Sequence, residues 1–109
     1  EARAAGRMLR QFARQFPVGE PRAQLCAGGL AWLDGRPGAA RAAWRRSLAA
    51  ARRRAMPYDQ ALAHYELGRH ARGPAWRRHL TRARTLFASL GAAYDVARVQ
   101  ALLAPERPG

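Results

Sequence analysis

Met56-Pro57-Tyr58-Asp59-Gln60-Ala61 and Ala92-Ala93-Tyr94-Asp95-Val96-Ala97 are one phrase written twice at a shift of 36 residues. The same shift carries Pro21 to Pro57, Trp44 to Leu80, Ser47 to Ala83 and Leu48 to Arg84. Further back, it carries Met8 to Trp44 and Phe12 to Leu48. A fixed stride of this size with two helices inside each period marks an array of stacked helical hairpins. No single hairpin can bury its apolar side alone, so neighbours must cover it.

The punctuation around the repeated phrase divides the chain. Breakers fall at Pro17-Val18-Gly19, Gly35-Arg36-Pro37-Gly38, Met56-Pro57, Arg72-Gly73-Pro74 and Gly91. They predict about six helices, over 2–16, 20–34, 38–55, 57–71, 74–90 and 92–104. Strand signals are nearly absent: Ile is missing, and Ala, Leu and Arg, all strong helix formers, dominate. Trp76, Leu80, Ala83, Phe87 and Leu90 recur in steps of four and three, one face of a helix. Ala40, Trp44, Ser47, Leu48, Ala51 and Ala55 trace the same stripe, and Met8 or Leu9 with Phe12 and Phe16 give the first helix its apolar side. The predicted fold is all-α, an antiparallel stack of helix hairpins forming one domain over 1–109. It comprises a helix of a truncated repeat at 2–16, repeats at 20–55 and 57–90, a capping helix at 92–104 and a tail at 105–109.

Local chemistry agrees with that division. Pro57 suits the first turn of a helix, where its missing N–H costs nothing. Asp59 and Asp95 stand where a carboxylate meets the positive end of the helix dipole. Gly35 and Gly91 suit the left-handed residue that closes a helix. Small side chains at Ala40, Ser47 and Ala83 permit close helix approach, and Trp44, Leu80 and Phe87 fill the space beside them. Gly28-Gly29, inside a helix, reads as another close approach.

Composition bounds the partners. The net charge is +13, from 20 basic and 7 acidic residues, and every base is Arg. Such an excess points to nucleic acid, an anionic membrane or an acidic protein. Arg and Ala without Lys is also what GC-rich coding produces whatever the function, so the charge is discounted as a functional sign. No apolar run approaches the ~20 residues of a membrane span. Cys26 is alone, which excludes an internal disulfide, fits a reducing cytoplasm, and reads as a small buried residue. The first residues show neither an initiator Met nor a signal pattern, and the chain is expected to be a piece of a larger protein.

Gly28, Gly35, Ala40, Trp44 and Ser47-Leu48 stand where the tetratricopeptide repeat places two glycines, a small residue, an aromatic and an Ala-Leu pair. The chain resembles that repeat, although Trp76 takes a small position in the next period and Leu67-Gly68 falls outside the expected glycine sites. A narrower stretch, Tyr65-Glu66-Leu67-Gly68-Arg69, His79 to Phe87 and Leu90 to Arg98, resembles the C-terminal repeat regions of bacterial signalling ATPases. These include adenylate-cyclase-type regulators and LuxR- or MalT-like transcription activators. The resemblance implies a right-handed α-solenoid acting as a non-catalytic protein-interaction or regulatory scaffold of a bacterial regulator.

Catalytic signatures are missing. There is no phosphate loop and no Lys, and Ser47 and Ser89 lack a nucleophile-elbow context. Glu66 and His70 are four apart and read as a solvated pair on one helix face. His64, His79 and Cys26 fall short of a metal set, so no cofactor is expected. What remains is a surface. In the family, the first helix of each hairpin lines a groove, which implies Arg22, Leu25, Gly29 and Trp32, then Tyr58, Ala61, Tyr65 and Arg69, then Tyr94, Ala97 and Arg98. Arg and Tyr together suit a protein or peptide carrying carboxylates. A second candidate is the basic face of Arg45, Arg46, Arg52 and Arg53, read mainly as a solvated outer surface. The alternative function is an Arg-rich helical nucleic-acid-binding module. Exposed end helices predict self-association.

Overall fold

The computed structural model describes residues 19–104, and all their regular structure is helical. The helix expected at 2–16, with Met8, Leu9, Phe12 and Phe16, and the tail at 105–109 lie outside the described residues. The five described helices are α1 Glu20–Leu33, α2 Pro37–Arg53, α3 Pro57–Arg69, α4 Ala75–Ser89 and α5 Ala93–Leu103. Their ends fall within one or two residues of the positions that the breakers predict.

Proline and the left-handed turn set those ends. Proline occupies the first turn of α1, α2 and α3, and no side chain caps the N-terminus of any of the five helices. At the C-termini of α1, α2 and α4 one hydrogen-bond pattern recurs. Arg36, Met56 and Ala92 each donate a backbone N–H to the carbonyl five residues back, on Ala31, Ala51 and Phe87. The residue just before each donor takes positive φ: Gly35 at 73°, Ala55 at 50° and Gly91 at 70°. This closure requires the left-handed conformation, which glycine adopts freely and alanine resists.

Ala55 is therefore the strained member of the set, one period before Gly91. It is exposed and lies beyond the end of α2, so it does not extend the apolar stripe as the sequence suggested. Ala55→Gly is expected to raise stability by about 0.5–1 kcal/mol, since the strain relieved exceeds the added freedom of the unfolded chain. A urea titration checks it: an unchanged or lower midpoint would mean that the turn tolerates the alanine.

Consecutive helices run antiparallel. In the first hairpin Arg53 reaches Glu20 at 3.0 Å and Ser47 Oγ donates to the Pro21 carbonyl at 2.7 Å. In the second, Gly68 lies against Leu80 and His64 against His79. The helices form two layers, α1, α3 and α5 in one and α2 and α4 in the other. Ala40, Trp44, Leu48, Ala63 and Leu67 make the first buried cluster. Ala61, Tyr65, Leu80, Ala83, Phe87, Val99 and Leu103 make the second. α3 contributes to both, so it joins the two hairpins into one body.

Glycine sets how closely the helices approach. A Cβ on Gly28 would sit 2.5 Å from Trp44 Cδ1, and one on Gly68 would sit 2.7 Å from Leu80 Cγ. Each large side chain of the second helix thus lies on a bare stretch of backbone in the first. The two glycines are not related by the 36-residue stride. The connection 34–36 is shorter than 70–74, and this slides the contact along α3.

Candidate functional site

The layer of α1, α3 and α5 gathers most of the groove residues expected from the sequence, and a repeated bond links its helices. Arg22 Nε donates to Asp59 Oδ1 at 3.0 Å, from α1 to α3. Tyr58 Oη donates to Asp95 Oδ2 at 2.9 Å, from α3 to α5. Both bonds span 37 residues, one stride plus one, so each helix reaches the aspartate of the next. Asp59 and Asp95 are nearly buried. Asp59 takes this neighbour in addition to the dipole of its own helix, and Asp95 takes both its neighbour and Arg98 of its own helix. Donation to Asp95 also holds the Tyr58 phenol above its ordinary pKa.

Beside this ladder, Arg98 lies over the Tyr65 ring at 4.6 Å and the Tyr94 ring at 5.4 Å, and it pairs with Asp95 at 2.8 Å. Arg69 covers Tyr65 at 5.3 Å and pairs with Glu66 at 2.9 Å. Tyr94 is 76% exposed while Tyr65 is buried. Arg22, Tyr58, Tyr65, Arg69, Tyr94 and Arg98 thus share one face. Trp32 stands apart, half-buried, with its ring 6.1 Å from Trp44 and 4.3 Å from His70. Ala61 is in the second buried cluster, and Leu25 packs against the first, the one built around Trp44. Every arginine of this face already has a carboxylate of the same chain within 3.0 Å.

The other layer is different. α2 carries Arg41, Arg45, Arg46, Arg52 and Arg53, α4 carries Arg77, Arg78, Arg82 and Arg84, and neither holds an acidic residue. The candidate basic face splits in two. Arg46 and Arg53 turn toward α1, onto Gln24 at 3.2 Å and Glu20 at 3.0 Å. Arg45 and Arg52 turn toward α4 and line the space between the two helices.

That space is a cleft of about 660 Å³ bounded by Leu48, Arg52, Arg78, Thr81, Arg82 and Thr85, with His64 and His79 at its floor. A smaller recess of about 280 Å³ adjoins it at His79, with Arg41, Arg45 and Arg72 among its walls. Nδ1 of His64 and Nδ1 of His79 are 3.0 Å apart, so one ring donates and the other accepts. Burial pushes His64 down to about 4, and the charges of His79, Arg52 and Arg82 add to the effect. Burial also lowers His79, with Arg78, Arg45 and Arg52 contributing. Both histidines are in the sequence, but their meeting depends on how α3 and α4 pack.

The depressed His64 has a consequence for stability. Below its ordinary value of 6.5 the unfolded chain binds a proton that the folded chain refuses until about 4. Stability therefore falls as pH drops through that window and levels off beneath it. Urea titrations at about pH 7 and about pH 5 are expected to show a loss that His64→Gln reduces. An identical loss in the variant would place the titrating group elsewhere.

Two local expectations are corrected. Cys26 is exposed rather than buried. The Glu66–His70 pair does not form: Glu66 takes Arg69, and His70 turns its Nδ1 to the Glu66 backbone carbonyl at 3.0 Å and stacks on Trp44 at 4.7 Å. His70 closes α3 and stays one turn from Glu66, but its ring is held by the backbone carbonyl and by Trp44 rather than by the carboxylate, which Arg69 takes. Among the described residues no three His, Cys, Asp or Glu side chains converge as a metal set, and no helix is long and apolar enough to cross a membrane. No protein family, curated protein or solved structure matches the chain.

Proposed function

We propose that the chain is a non-catalytic binding scaffold of tetratricopeptide-like build, serving a cytoplasmic bacterial signalling or transcriptional regulator. Its partner is a protein or peptide docked on the face of α1, α3 and α5. One observation carries this reading: the exposed Tyr94 ring, Arg98 and Tyr65 stack in sequence with Arg69 alongside. Rigid aromatic and guanidinium groups of this kind dominate protein interfaces at small entropic cost. The carboxylates beside these arginines leave the face nearly neutral. It is thus suited to a partner bound by ring packing and hydrogen bonds, with acidic side chains as a lesser attraction.

Selection from a displayed peptide library tests the proposal. Saturable binding that is lost in Tyr94→Ala and Arg69→Ala is expected, because both side chains are exposed and their removal leaves the core intact. Failure to select any peptide, together with salt-steep binding of RNA or duplex DNA, would favour an Arg-rich nucleic-acid-binding module instead. The acid-free surfaces of α2 and α4 are what favour that alternative. Leu90, Tyr94 and Leu102, all exposed near the last helix, support self-association there, which sedimentation over a concentration series measures.

A further inference from the structure

We infer that the cleft between α2 and α4 binds a small phosphate-bearing anion, held by Arg52, Arg78 and Arg82 above the His64–His79 pair. This site is separate from the peptide face and stands whether or not that reading holds. Its volume of about 660 Å³ is that of a small-molecule site. Leu48 supplies an apolar wall, and Thr81 and Thr85 supply hydroxyls.

The charge pattern selects the ligand. On the opposite layer each arginine is neutralised by a carboxylate within 3.0 Å. Among the described residues, Arg52, Arg78 and Arg82 have no acidic partner, and no carboxylate lines the cleft. Three guanidinium groups on two facing helices form a concentration of charge that one carboxylate does not offset. A phosphoryl group carries up to two negative charges and three acceptor oxygens, which suits the planar forks of arginine.

The histidines make the site responsive to pH. Arg52 from α2 faces both rings, Arg45 from α2 and Arg78 from α4 face His79, and Arg82 from α4 faces His64. This positive surround opposes protonation of the pair. A bound polyanion offsets it, so ligand binding and proton uptake support one another. Proton uptake by the pair is therefore expected to accompany binding.

Calorimetry of the 109-residue chain with inorganic tripolyphosphate tests the assignment, with a single-stranded oligoribonucleotide titrated in parallel. One equivalent of tripolyphosphate is expected to bind, with heats that vary with the buffer as protons are taken up. The pair Arg52→Gln and Arg82→Gln is expected to weaken it by about tenfold or more. A control removing the same charge from the other side of α2, Arg46→Gln with Arg53→Gln, is expected to change it by about twofold at most. All four side chains are exposed, and circular dichroism confirms that both variants fold. Equal losses in the two variants, or several equivalents bound, would reduce the cleft to diffuse attraction and overturn the site. So would an oligoribonucleotide that binds more tightly than tripolyphosphate and depends equally on Arg46 and Arg53.

Discussion

Replacing Trp44 by alanine is expected to cost about 3–5 kcal/mol, a large fraction of the stability of a chain this size. Trp44 is 1% exposed, lies on Gly28, stacks on His70 at 4.7 Å and sits 6.1 Å from Trp32. Its indole N–H donates to the Leu25 carbonyl at 3.3 Å, a long and weak bond. Volume should therefore decide the outcome. Trp44→Phe, which deletes the N–H and keeps most of the ring, should lose much less than Trp44→Ala. A domain of this length is stable by only about 5–15 kcal/mol, so the alanine variant should unfold at a markedly lower urea concentration. If Phe and Ala lose equally, the hydrogen bond matters more than the packing, and this account fails.

Gly28→Ala and Gly29→Ala are expected to change stability in opposite directions although the residues are adjacent. A methyl group on Gly28 would enter the indole ring, 2.5 Å from Cδ1 and 2.8 Å from Cε2. Trp44 cannot swing aside, because His70 and Trp32 hold its faces. Overpacking of this kind costs about 1–3 kcal/mol, and the rigidity of the ring places the cost toward the upper end. Gly29 has nothing within 4 Å of its would-be Cβ. Alanine there should add about 0.5–1 kcal/mol of helix stability. Thermal melts of the two variants should lie on either side of the parent, and a shift in the same direction would refute the packing of α1 on α2.

Much of the fold was legible because its causes are local. Proline at helix starts, glycine at Gly35 and Gly91 and apolar steps of three and four act within a few residues, and they located all five described helices. The 36-residue stride also identified Tyr58 with Tyr94 and Asp59 with Asp95. It did not reveal that Tyr58 bonds Asp95 and Arg22 bonds Asp59 across the stride, because that depends on how one helix lies against the next. Gly68 and the His64–His79 contact escaped for the same reason, since connections of unequal length shift the second hairpin. Cys26 shows the converse limit: small size permits burial without requiring it. The absence of acids from 37–53 and 75–89 was plain in the sequence. It acquires meaning once α2 and α4 are seen to face each other across a cleft.

The ladder from Arg22 to Asp59 and from Tyr58 to Asp95 amounts to a rule for elongation. Each rung joins a donor to an acceptor one module ahead, with no long-range signal needed to register the next module. A synthetic polymer of the 57–92 unit, each copy beginning Pro-Tyr-Asp, would offer Tyr-to-Asp rungs at every junction. Its unfolding cooperativity would then grow with the number of copies, up to the length at which the weakest junction parts on its own.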